Sequence, residues 1–277
     1  MNYMEESVLF DKLIHLIYSK KMGIKVNTNS KEKHKFIPKV YYIGDGKTGS
    51  TSIMNGFPDI NVAHWHNVYF FEKIYETKLL TSNNYDLYDL IIYIGKKYNF
   101  KPVIIESIRN TINAEISSCF QHIRVDRNCG LECEICKIKK HQYDNDITSA
   151  IEVIKKNINS KINKMPYSCE MFKKHFNLDL SSTFDKKLGY YFKDTNNIFL
   201  LVLKFENIKK WNEIINNHLP YKFLLKHDNK TVNKFYERVK KNIKFTKKEF
   251  QPILDSYKIN SFYSNDEINK ITKILIK

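Results

Sequence analysis

Apolar positions recur along this chain at two spacings, and the switch from one to the other predicts its elements. Leu9, Leu13, Leu16 and Ile17 fall at helical intervals between Glu5 and Lys21, which predicts a first helix. A polar stretch, 27–35, leads to Pro38. Val40-Tyr41-Tyr42-Ile43 is then a short continuous apolar run stopped by Gly44-Asp45-Gly46, the pattern of a buried strand. Further strands are predicted at Ile60–Trp65, Val103–Ile108 and Ile198–Phe205, and helices at Asp86–Tyr98, Thr111–His122, Ile147–Ile162 and Ile208–Asn217. The last third reads as helical, over Thr231–Asn242, Lys247–Tyr257 and Asp266–Ile276. Strands alternating with helices imply an α/β protein with a parallel sheet covered on both faces. No repeat and no domain boundary interrupts the pattern. One domain over 1–277 is expected, with 1–37 as an N-terminal helix and polar lead-in.

Composition narrows the class. With 42% hydrophobic and 27% charged residues in 277, a disordered or collagen-like chain is excluded. The longest N-terminal apolar run, Val8 to Tyr18, is broken by Asp11, Lys12 and His15, and nothing approaches the roughly 20 apolar residues of a membrane span. A soluble, cytoplasmic protein without a signal peptide or membrane span is the expectation. The net charge of +16 comes almost entirely from lysine, since only Arg109, Arg124, Arg127 and Arg238 are arginines. Lysines spread this evenly are expected to form a solvated surface, with a basic groove for a polyanion as the alternative. Nucleic acid is not the expected partner. The scarcity of arginine makes any arginine inside a motif informative.

Three of the five cysteines cluster as Cys129, Cys133 and Cys136 in a charged segment, 123–147, that looks like an insertion. Reduced surface thiols are the first reading. Structural zinc completed by His122 or His141 is the second, and an iron–sulfur cluster held by the C-x3-C-x2-C spacing is the third. No metal is assigned to the site.

The segment after the first strand carries the sharpest chemistry. A buried strand delivers the chain into three glycines, Lys47, and the hydroxyls of Thr48, Ser50, Thr51 and Ser52, followed by a helix start. Glycines let the backbone wrap an anion, and helix N-termini offer it free N–H groups. A standard ATP-binding loop would need glycine at position 41, where this chain has tyrosine. A second motif follows: the strand Ile104-Ile105-Glu106-Ser107-Ile108 ends at Arg109, with Ser117 eight residues later on the next helix.

In these two motifs the chain resembles the sulfotransferases that use 3′-phosphoadenosine 5′-phosphosulfate (PAPS). Lys47-Thr48-Gly49-Ser50-Thr51 fits their 5′-phosphosulfate loop, and Arg109 with Ser117 fits their 3′-phosphate motif. Thr111 stands where that family commonly has proline. The resemblance is greatest to a divergent group associated with capsular polysaccharide synthesis, through Phe184-Asp185, Gly189-Tyr190, Leu203 to Asn207, Asn229 to Tyr236 and Phe262 to Glu267. It covers roughly 38–270. It implies a P-loop-type three-layer fold with a central parallel sheet and a mostly helical C-terminal third. It also implies PAPS as co-substrate and a carbohydrate hydroxyl as acceptor. Lys47, Thr48, Gly49, Ser50, Thr51 and Ser52 would then hold the 5′-phosphosulfate, and Arg109 and Ser117 the 3′-phosphate.

Sulfuryl transfer to a hydroxyl calls for a general base. Strand alternation puts His64 and His66 on one face at the carboxyl end of the second strand. His66, just before Tyr69 and Phe70, is the expected base, His64 the reserve, and Glu72 a weaker alternative. Glu206 either orients a loop or caps a helix. Asn229, Lys230 and Lys234 form a basic loop that is expected to be solvated and alternatively reaches the nucleotide. Two other functions remain open on sequence alone: a polyanion-binding module with a degenerate phosphate loop, and a metal-cluster enzyme built on the cysteine trio.

Overall fold

A computed structural model describes residues 37–44, 49–65, 87–124, 147–162, 167–225 and 234–277. They fall into two compact units: those within Met1–Ile108 and Tyr190–Asp228 form one, and those within Arg109–Gly189 and Asn229–Lys277 form the other.

The first unit is built on a five-stranded sheet. Val40–Ile43 (β1) leads to a short helix, Ser50–Gly56 (α1), then to Val62–Trp65 (β2), Leu87–Lys97 (α2) and Val103–Ile108 (β3). The chain returns to this unit at Tyr190–Asp194 (β4) and Phe199–Lys204 (β5), and a 3₁₀ turn at Phe205–Lys210 runs into Trp211–His218 (α7). The strand order is β2-β1-β3-β5-β4. β2, β1, β3 and β5 are parallel neighbours, and β4 pairs antiparallel on β5. The α/β class thus holds, but the sheet is mixed, and β4 was not among the predicted strands. It follows a tight turn in which Gly189 has φ 78 and its N–H donates to the Asp185 carbonyl at 2.7 Å. It turns back into β5 through only 195–198, where Thr195 N donates to the Ile198 carbonyl at 3.0 Å; so short a link gives an antiparallel hairpin, whereas a parallel connection needs a dozen residues or more.

Every residue of β1 and β3 is buried, as central strands require. On one sheet face Val40, Tyr42, Val62, Val103, Ile105, Leu201 and Leu203 pack against Ile53 of α1, Phe57, and Trp211, Ile214 and Ile215 of α7. β1 connects to β2 in one direction, and β2 crosses back over β1 to β3 in the other. Right-handed crossovers then put α1 and α2 on opposite faces. The predicted helix Ile208–Asn217 begins instead as a 3₁₀ turn kinked at Asn207. The α-helix proper starts at Trp211, whose indole Nε1 donates back to the Lys204 carbonyl at 3.1 Å.

The second unit is helical among its described residues: Thr111–Arg124 (α3), Ile147–Lys161 (α4), Tyr167–Phe176 (α5), Leu180–Thr183 (α6), Lys234–Asn242 (α8), Lys247–Leu254 (α9), Tyr257–Phe262 (α10) and Asn265–Leu275 (α11). The α5 and α6 helices were not predicted. The predicted helix Lys247–Tyr257 is two, because α9 carries Pro252 in its interior and stops two residues later, and Ser256 caps a new start. Thr246–Glu249 and Ser264–Glu267 are reciprocal capping boxes for α9 and α11. Glu249 also meets Lys155 of α4 at 2.9 Å; its bond from the Thr246 backbone and then Lys155 hold its carboxyl below the ordinary value. Burial, followed by the neighbouring Cys169 thiol, pushes the Tyr257 phenol up to about 12. The predicted helix within Glu5 to Lys21 lies outside the described residues. So does the interior of the 123–147 insertion, whose ends are the last turn of α3 and the start of α4.

Candidate functional site

In a sheet of this kind, ligands bind beyond the carboxyl ends of the strands, where successive connections leave in opposite directions. Here that point lies between β1 and β3. The chain leaving β1 goes to β2 on one side, while β5 pairs on the far side of β3. The register Ile43↔Glu106 ends β1 beside Glu106 while β3 runs two residues further, so Gly44 on one and Ser107-Ile108 on the other mark the crevice.

Gly44 begins the glycine-rich loop and Gly49 closes it. Gly49 has φ 98 and ψ 17, a backbone region that side chains rarely enter, and its carbonyl accepts the first α1 bond from Ile53 N at 3.1 Å. Space also demands glycine here. A Cβ on residue 49 would stand 2.6 Å from Cη2 and 2.8 Å from Cζ3 of Trp211, and 3.3 Å from Cδ2 of Phe205. Ser50 is buried, and Thr51 and Ser52 are half-buried in the first turn of α1. Lys47 and Thr48 lie outside the described residues.

A layer of polar side chains sits at the carboxyl end of the face that carries Trp211. Tyr42 of β1 is fully buried, and its hydroxyl hydrogen-bonds the Ser107 hydroxyl of β3. Its ring meets the His64 imidazole of β2, with centroids 5.3 Å apart and planes tilted by 54°. His64 is thus packed into the sheet face, with 8% of its surface exposed. His66 and Glu72, the expected base and its alternative, lie outside the described residues, as β2 is followed only to Trp65. By strand alternation the opposite face carries two charged groups that sequence reading did not single out as a pair. Glu106 is 4% exposed and Lys204 fully buried. The signal was present: each is a charged residue directly after an apolar run, Glu106 after Val103-Ile104-Ile105 and Lys204 at the end of FLLVLK.

The second motif opens the second unit. Arg109 follows β3 directly, with its Nε buried. Asn110 caps α3, its Oδ1 accepting from Ile112 N at 2.9 Å and Asn113 N at 3.4 Å. Thr111 is the first helical residue, a position where proline is equally at home, so either residue suits the local backbone. Ser117 is half-buried two turns into the same helix.

Other segments have simple structural roles. Ser264 and Glu267 cap α11, and Asp185 Oδ1 accepts from the N–H groups of Lys187 and Leu188 in the turn before β4. Glu206 is exposed in the first turn of the 3₁₀ segment, where a negative charge is favoured. Lys234 opens α8, and Asn229 and Lys230 lie outside the described residues, as do Cys129, Cys133, Cys136 and His141. Among the described residues no group of three histidine, cysteine or acidic side chains could hold a metal ion, and no helix is long and apolar enough to cross a membrane. No family model, curated protein or solved structure matches the chain.

Proposed function

We propose that this protein is a sulfotransferase that moves the sulfuryl group of PAPS to a hydroxyl, with a carbohydrate as the acceptor class. One observation carries the reading. β1 and β3 are parallel neighbours in register from Val40↔Val103 to Ile43↔Glu106, so the chain segments bearing the two nucleotide motifs leave adjacent strands at the same sheet edge. A glycine loop and an isolated arginine, in a chain with few arginines, both start from the edge where α/β sheets take their ligands. The fold is then of the P-loop type, with PAPS as substrate.

The chemistry is an in-line displacement. The acceptor oxygen attacks sulfur, the bond from sulfur to the 5′-phosphate oxygen breaks, and its electron pair leaves with adenosine 3′,5′-bisphosphate. Lys47 and the loop N–H groups stabilise the charge that grows on that phosphate. Arg109 offers a planar, permanently charged fork to the 3′-phosphate, and Ser117 a hydroxyl. His66 takes the acceptor proton, since an imidazole of ordinary pKa, about 6.5, is half-neutral close to physiological pH.

The test is thermal stabilisation by adenosine 3′,5′-bisphosphate compared with ATP and AMP. The bisphosphate should stabilise most, and Arg109→Ala should lose most of that gain while leaving the response to AMP unchanged, because AMP has no 3′-phosphate. Equal loss for both ligands would reduce Arg109 to a fold-supporting residue. Stabilisation by any polyanion, fading steeply with salt, would replace the proposal with a polyanion-binding module.

A further inference from the structure

The apolar face under α1 and α7 turns partly polar towards its carboxyl edge, where Tyr42 is level with His64 and Ile105, and Ser107 lies one step beyond. Val40, Val62 and Val103 form its deeper layer in register, and Tyr42, His64 and Ser107 stand nearer the carboxyl edge. Phenylalanine and alanine would fill the same space without a hydroxyl, and replacing both partners of a buried hydrogen bond by apolar groups is often nearly neutral for stability. Packing alone therefore does not account for the hydroxyl pair. Its geometry suggests a different purpose. β1 lies between β2 and β3, and Tyr42 touches both: its ring leans on His64 of β2, and its hydroxyl is tied to Ser107 of β3. A fully buried ring anchored at its far end can take only one tilt, and the imidazole against it inherits that constraint. Of the three residues, His64 keeps the largest exposed fraction, so it is the one that solvent reaches most.

We propose that Tyr42 is a positioning residue for His64, fixed by Ser107, and that the pair holds one imidazole orientation at the carboxyl end of β2. The structural part stands on the contacts just given; the benefit to catalysis rests on the sulfotransferase reading, with His64 orienting the attacking oxygen for proton transfer to His66.

The test uses the full chain labelled with ¹⁵N-histidine, the His64 signal being assigned by its loss in His64→Gln. The wild type should show His64 in a single tautomer. A Tyr42→Phe/Ser107→Ala variant should keep its melting temperature and its stabilisation by adenosine 3′,5′-bisphosphate, yet show averaged His64 nitrogen shifts. Release of sulfate from PAPS to water should fall about tenfold in kcat with KM unchanged. Ser107→Thr, which keeps a hydroxyl, should retain the wild-type spectrum and rate; if the double variant fails to fold, Tyr42→Phe alone, which keeps the ring and loses the bond, should show the averaged shifts, and a wild-type signal there would overturn the proposal. An unchanged His64 signal in the folded double variant, an unchanged kcat, or averaged shifts in Ser107→Thr would overturn the proposal. If the bisphosphate fails to stabilise the wild type, the sulfotransferase reading falls, and the nitrogen shifts alone judge the positioning role.

Discussion

Replacing Gly49 by alanine combines two independent penalties, and both can be sized. At φ 98 an L-residue is held in a sparsely populated region, which costs on the order of 1–3 kcal/mol. The new methyl would also lie 2.6 and 2.8 Å from two ring carbons of Trp211, where ordinary contact begins near 3.4 Å. That ring cannot step aside cheaply. It is fully buried, its Nε1 is bonded to the Lys204 carbonyl, and Phe205 packs edge-on against it at 6.0 Å. Overpacking of this kind costs roughly 1–3 kcal/mol. Together the two terms reach about 2–6 kcal/mol, a large share of the roughly 5–15 kcal/mol that holds a domain folded. Urea unfolding followed by far-UV circular dichroism measures the loss. Tryptophan fluorescence is a poorer probe, since Trp211 is itself disturbed. A Gly49→Ala/Trp211→Leu double variant separates the terms. It should be more stable than the two single losses sum to by about 1–3 kcal/mol, the part due to the clash. A Gly49→Ala loss below about 0.5 kcal/mol, or strict additivity with Trp211→Leu, would refute the reasoning.

Further outcomes follow from the same structure. Under the proposed function, Lys47→Ala should lower kcat for sulfuryl transfer by about 10²-fold or more while bisphosphate affinity falls far less, as expected of a group acting on the leaving charge; a raised KM with unchanged kcat would remove it from that role. Glu249→Ala should cost about 0.3–1.5 kcal/mol at pH 7, the range for a helix-end device. Because its folded carboxyl is held below the ordinary value, this contribution is present above the unfolded pKa of about 4.3 and lost as pH falls through the folded one, so wild-type and variant urea midpoints should converge in acid. Tyr257 should ionise near pH 12 in an ultraviolet titration, in a step absent from Tyr257→Phe. Its contribution to stability is complete below about pH 10 and lost as pH rises through about 12; a single tyrosine step near 10 with the fold intact would contradict its burial.

Local pattern was enough for β1, β2, β3, β5 and most helices. Their apolar runs are continuous or helically spaced and are bounded by glycine, proline or polar turns. β4 escaped because Tyr190–Asp194 is an edge strand, half-buried along most of its length, with neither alternation nor a solid apolar run to betray it. The split between α9 and α10 escaped because helical spacing continues across Asp255 and Ser256, and only the proline signals the break. In the candidate site, the glycine loop and Arg109 were legible because each motif is local. The Tyr42–Ser107 bond joins residues 65 positions apart, and the Gly49–Trp211 contact spans more than twice that, so neither leaves a trace in local spacing. Such contacts are products of strand order, which no single segment encodes.

The placement of β5 beside β3 has a consequence for the protein's birth. β3 is a fully buried central strand, yet the neighbour that satisfies its second edge is not its successor in the chain: Ile108 ends one and Phe199 begins the other, roughly ninety residues later. At ribosomal rates of about 5–20 residues per second, that edge waits on the order of 5–20 s before its partner exists. Throughout that interval β2, β1 and β3 present an incomplete sheet with a row of open backbone groups, a surface inviting a wrong strand. The helices encoded in between close mostly short-range contacts and can form while β3 waits. Successful synthesis of this chain therefore depends on how well that nascent edge is shielded until β5 emerges, and slower elongation downstream of β3 would lengthen the exposure.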